Sequence, residues 1–129
     1  MTGILFSPDL FFSSRILAEA RHAGLEVRSV PDLAALRDHV ARHEVRLVLV
    51  DLGATETDLA EVVAAVAAQQ PRPCLIAFGP HVQTERLQAA RAAGCDLVLT
   101  RGQFDSQVAD LLRRFLDPHG PAACASSAG

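Results

Sequence analysis

The chain has 129 residues, half of them hydrophobic, with 12 basic and 15 acidic side chains and a formal net charge of -3. A chain of this size and apolar content can bury one domain's core without metal or disulfides. Its acidic balance argues against a nucleic-acid surface, which needs an excess of cations facing phosphate.

Five short apolar runs alternate with amphipathic stretches. The first run, Ile4-Leu5-Phe6, leads through Ser7-Pro8-Asp9 into a helix expected from about Phe12 to Ala23, with Gly24 as its stop. The second, Leu25 to Val30, alternates apolar and polar residues as an edge strand does. Its helix opens at Pro31-Asp32 and carries Leu33, Leu36 and Val40 on one face. The third run, Leu47-Val48-Leu49-Val50, and the fourth, Cys74 to Phe78, are continuously apolar, as strands covered on both faces are. Leu59, Val62, Val63 and Val66 mark the third helix, which ends before Pro71. The fourth helix is expected from about Val82 to Ala93, before Gly94. The fifth run, Asp96 to Leu99, precedes a helix with Phe104, Val108, Leu111, Leu112 and Phe115 at helical spacing. After Leu116 the periodicity stops, so residues 1–116 are expected to form the domain and 117–129 a disordered tail.

Five βα units predict an α/β fold with a doubly wound, five-stranded parallel sheet. The expected strand order is 2-1-3-4-5, the flavodoxin-like arrangement. In such a fold the functional end lies outside the carboxyl ends of the strands, at the switch point between strands 1 and 3. Asp51 directly follows the third strand there. Asp9 lies in the first βα loop, where two carboxylates could share an oxygen-seeking cation such as Mg²⁺. Arg101 follows the fifth strand and could reach a carboxylate or phosphoryl oxygen. Each has a plainer reading: a loop-opening Asp, ordinary Ser-Pro-Asp turn chemistry and a solvated Arg.

These residues make the chain similar to receiver domains of bacterial two-component response regulators, over about Gly3 to Leu116. The likeness rests on Asp51, on Arg15-Ile16-Leu17 of the first helix, and on the stretch Pro73 to Arg101 with its Ala-Ala-Gly-Cys-Asp-Leu-Val-Leu-Thr-Arg segment. The resemblance implies that Asp51 holds the phosphoacceptor position, that acids after the first strand bind Mg²⁺, that a Ser or Thr ends the fourth strand, and that a Lys ends the fifth. Here the acidic pair has become Pro8-Asp9, Phe78 stands at the hydroxyl position, and Arg101 replaces the lysine. The expected site is therefore Asp51 as phosphoacceptor candidate, Asp9 with Asp51 as a weak Mg²⁺ pair, and Phe78, His81 and Arg101 lining the pocket.

Three apolar residues, Leu10-Phe11-Phe12, fall in the expected first loop; some should staple the helix start and any exposed remainder would offer a contact patch. His81, in the Gly79-Pro80-His81 turn, is either a titrating gate or a helix-start residue bonded to local backbone. His39 and His43, four residues apart, are read as the solvated face of the second helix. No glycine-rich phosphate loop and no nucleophile elbow occurs, which disfavours dinucleotide binding and hydrolysis. Cys74, Cys95 and Cys124 make an odd count without a C-x-x-C pair, arguing against a disulfide framework and for a reducing cytoplasm. No apolar stretch approaches the roughly 20 residues that span a bilayer, and no signal peptide is expected.

The reading of function is a stand-alone, atypical receiver-like signalling module, not an enzyme, with impaired or absent phosphorylation and no certain cofactor beyond possible Mg²⁺. Its expected partners are proteins: a histidine kinase, a downstream signalling protein, or a second copy through the face of helix 4, strand 5 and helix 5. The alternatives are a conventional single-domain response regulator phosphorylated on Asp51, and a small-ligand binder at the strand-end pocket.

Overall fold

The structure, a computed structural model, describes residues 2–53 and 59–116. The expected tail, with His119 and Cys124, lies outside the described residues. Ten elements alternate strictly: β1 Thr2–Phe6, α1 Leu10–His22, β2 Glu26–Val30, α2 Leu33–Arg42, β3 Val45–Asp51, α3 Leu59–Ala67, β4 Cys74–Gly79, α4 Thr84–Ala93, β5 Leu97–Thr100 and α5 Arg101–Leu116. All strand pairs are parallel, in the order β2-β1-β3-β4-β5. The flavodoxin-like doubly wound expectation is met in full.

Alternation along each strand sorts the core into two layers. Leu5, Leu47, Leu49, Ile76, Phe78 and Leu99 point toward α1 and α5. Their sequence neighbours Ile4, Phe6, Val48, Val50, Leu75, Ala77 and Val98 point toward α2, α3 and α4. A period of two on both faces explains why the central runs carry no polar residue.

Side-chain caps fix where helices begin. Asp32 Oδ1 accepts from Ala35 N at 2.8 Å, so α2 starts at Leu33. Asp9 Oδ1 accepts from Phe12 N at 3.1 Å, so α1 starts at Leu10 and not at Phe12. Leu10, Phe11 and Phe12 are therefore the first turn of a helix, a correction to the loop expectation. Phe12 is buried, while Leu10 and Phe11 are 79% and 92% exposed.

Other ends follow the sequence punctuation. Gly94 closes α4 at φ 106°, a left-handed conformation that favours glycine. Asp96 lies just before β5 and latches it: its carboxylate accepts from Arg72 at 2.9 and 3.0 Å and from Leu75 N at 2.8 Å. Cys95 is the free cysteine among the described residues, whereas Cys74 is disulfide-bonded, a correction to the expectation that argued against disulfides. Burial, reinforced by the neighbouring Asp96 charge, pushes the Cys95 thiol up to about 11. His39 departs from the solvated-face reading: it is half-buried, and its ring stacks on His43 with centroids 5.3 Å apart.

Candidate functional site

Register alone brings the strand ends together. Asp51 sits opposite Phe78, and Phe6 opposite Val50, so Ser7 emerges beside Asp51. Strand alternation continues one residue past β1: Leu5 and Ser7 share a face as Leu49 and Asp51 do.

Asp51 has no exposed surface. Its Oδ2 accepts from the Ser7 hydroxyl at 2.9 Å, and its Oδ1 accepts from Gly53 N at 3.0 Å. Ser7, itself buried, also accepts from Asp9 N at 3.2 Å. A continuous line of hydrogen bonds thus runs from the Asp51 carboxylate through the Ser7 hydroxyl to Asp9, whose own carboxylate caps α1. A buried carboxylate is tolerated only when its lone pairs are met in this way.

The turn after β3 is tied to the end of β4. Leu52 N donates to Phe78 O at 2.8 Å. Pro80 packs directly on Gly53: a Cβ there would lie 2.8 Å from Pro80 Cδ. Only glycine lets the chain pass beneath that ring.

Phe78 fills the space beside Asp51 from the other side. Its ring stacks on Phe104 of α5 at 4.1 Å with 9° between planes, and Phe12 of α1 leans on both, at 5.2 and 5.9 Å. The Arg101 guanidinium lies over the Phe12 ring, 3.8 Å from its centroid. Arg101 forms no ion pair with Asp51. Its place is set by an abrupt strand-to-helix transition, in which Thr100 Oγ1 accepts from Gln103 N and Gln103 Oε1 accepts from Thr100 N. His81 is exposed in the turn before α4, where Gln83 N donates to Pro80 O at 3.0 Å.

Of the expected site residues, the fold joins Asp51 to Asp9 through Ser7 and seats Phe78 beside Asp51. It places Arg101 on an aromatic ring and His81 in solvent. Ser7, Gly53, Phe12 and Phe104 were not among the expected site residues. Ser7 could have been found by counting alternation from Leu5; the ring partners could not, because they come from three separate elements.

Mg²⁺ takes near-octahedral oxygen coordination. Among the described residues no group of three or more His, Cys, Asp or Glu side chains could hold a metal ion. The Asp9 carboxylate is used as a helix cap, and both Asp51 oxygens already take protein donors.

No protein-family model matches the sequence, and no curated protein matches it. Solved structures do resemble it in fold. The beryllofluoride-activated NtrC4 receiver domain dimer superposes with a TM-score of 0.70 at 11% identity, over 88% of this chain and 98% of that one. An atypical orphan response regulator, described as revealing a phosphorylation-independent regulatory mechanism, gives 0.69 at 12% identity, over 90% and 98%. A response regulator receiver domain from Rhodospirillum rubrum gives 0.62 at 16% identity, over 86% and 90%. The fold is the receiver fold.

Proposed function

We propose that residues 1–116 form a non-enzymatic, receiver-like signalling domain that acts by protein contact, without phosphoryl transfer to Asp51. The observation that carries this reading is the sealed carboxylate. An acceptor must present an oxygen to an incoming phosphoryl group, in line with its leaving group and with charge neutralised nearby. Asp51 instead is wholly buried, and its oxygens hold Ser7 and Gly53. The neutralising cation rests on Phe12, and the hydroxyl that would hold a phosphoryl oxygen is replaced by a stacked phenyl ring. In this reading Asp51 is a structural tie between β1, β3 and α1.

The proposed contact surface is the face of α4, β5 and α5, available to a signalling protein or to a second copy. The NtrC4 neighbour, a dimer, lends support to self-association. We assign the domain to the cytoplasm, as the resemblance implies. No helix among the described residues is long and apolar enough to cross a membrane.

The test is incubation of the purified chain with Mg²⁺ and a small acyl phosphate, followed by intact mass. No phosphoryl adduct is expected on wild type; a stoichiometric adduct lost in Asp51→Asn would restore the conventional reading. Sedimentation of wild type and of a variant with Arg91→Glu and Arg114→Glu, both exposed on α4 and α5, checks self-association through that face.

A further inference from the structure

The amino-terminal end of the sheet, opposite Asp51, carries a pair of imidazoles that the proposed function does not use. His39 and His43 stand one turn apart at the end of α2, held there by the bond from His43 N to His39 O at 3.0 Å. Leu36 and Val40, both buried, anchor the same turns to the core. A spacing of four residues places both rings on one face of a helix. Their centres lie 5.3 Å apart, with 27° between planes.

Neither ring is committed elsewhere. Neither forms a side-chain hydrogen bond or ion pair with a described residue, and His39 Nδ1 is buried without a partner. A buried polar atom left unpaired calls for an explanation, and a bound ion is one. Arg42, between the two in sequence, is neutralised by Asp38, whose Oδ1 lies 2.8 Å from its Nε. Glu44 lines the same recess as His43, so the local charge does not oppose a cation. His43 is exposed and His39 half-buried, which leaves the pair open to solvent on one side.

Two imidazoles bound tetrahedrally to one ion, each nitrogen about 2.0–2.1 Å from it, have ring centres about 5 Å apart. The observed 5.3 Å meets that spacing. Turning a ring about its Cβ–Cγ bond aims a nitrogen at the ion and leaves the ring centre almost in place; that torsion is broad for histidine. The turn breaks no hydrogen bond among the described residues. We infer that His39 and His43 chelate a borderline divalent transition ion of the Zn²⁺ class, with water filling the remaining positions. Imidazole donors select this class over Mg²⁺ and Ca²⁺, which take oxygen ligands. Among the described residues no third His, Cys, Asp or Glu joins the pair, so the chain supplies two of the four ligands of a tetrahedral ion.

The test is a titration of the full ¹⁵N-labelled chain with ZnCl₂ at a pH about one unit above the ordinary imidazole value of about 6.5, read by NMR on the histidine ring nitrogens. Saturable shifts are expected at His39 and His43 together, with His22 and His81 as internal controls that stay in place. MgCl₂ is expected to move none of them. His39→Ala and His43→Ala should each weaken Zn²⁺ binding by about tenfold or more, because the second imidazole of a chelate acts at high effective concentration. His43 is exposed, so its substitution leaves the fold intact and keeps the comparison valid. A response spread evenly over the histidines, a shift at one ring of the pair alone, or wild-type affinity in His43→Ala would overturn the inference.

Discussion

Replacing Ser7 by Ala perturbs the site at its least conspicuous point. The substitution changes side-chain volume little, so no cavity term enters. It removes the hydroxyl that donates to Asp51 Oδ2 at 2.9 Å and accepts from Asp9 N at 3.2 Å. A hydrogen bond to a charged group is worth about 1.5–3 kcal/mol, and a carboxylate with no exposed surface cannot recover it from bulk water without opening the turn. The expected loss is about 2–3 kcal/mol, or roughly 8–12 °C in melting temperature for a domain of this size. Asp51→Ala should cost about 2–4 kcal/mol, because it strands the Ser7 hydroxyl and the Gly53 N–H. In the double variant the shared bond is counted once, so the two losses should fall short of additivity by about 1–2 kcal/mol. Urea denaturation followed by circular dichroism at neutral pH measures all four proteins, with an unchanged m-value as the check on two-state unfolding. A Ser7→Ala loss under about 0.5 kcal/mol, together with strict additivity, would refute the structural role given to Asp51.

Three further expectations concern packing and ionisation. Phe78→Ala should destabilise by about 3–5 kcal/mol, since its ring is fully buried against Phe104 and Phe12; equilibrium denaturation would show it, and a loss below about 1 kcal/mol would mean that the stack is not formed. Gly53→Ala should cost about 1–3 kcal/mol because of Pro80, whereas Gly102→Ala, with nothing within 4 Å of its Cβ position, should stabilise α5 by up to about 1 kcal/mol; paired thermal melts decide the contrast. The Cys95 thiol, held up to about 11 against an ordinary 9.0, favours the folded state in its neutral form. That contribution is fully present below pH 9.0 and is lost as pH rises toward about 11. Alkylation of Cys95 at pH 8 should therefore be far slower in the native chain than in urea, and equal rates would contradict the burial assignment.

Much of the architecture was legible because it rests on local rules. Continuous apolar runs at β3 and β4, alternation at β2, and helical spacing in α5 follow from which faces each element buries. Element order then restricts the sheet to few topologies through right-handed crossovers. Asp51, Phe78 and Arg101 could likewise be placed at strand ends by counting. Boundaries shifted where a side chain captured a backbone N–H, as Asp9 did in starting α1 at Leu10.

What the residues at those ends do with one another was decided only by tertiary structure. A lone sequence cannot say that Arg101 lies on the Phe12 ring and not on Asp51, because ring and guanidinium belong to the first and last helices, packed side by side. Nor can it say that the Asp51 oxygens are taken by Ser7 and Gly53, which depends on the register of β1 against β3 and the closeness of Pro80. Periodicity determines which face a side chain shares. Only the assembled layers determine which polar group it meets there.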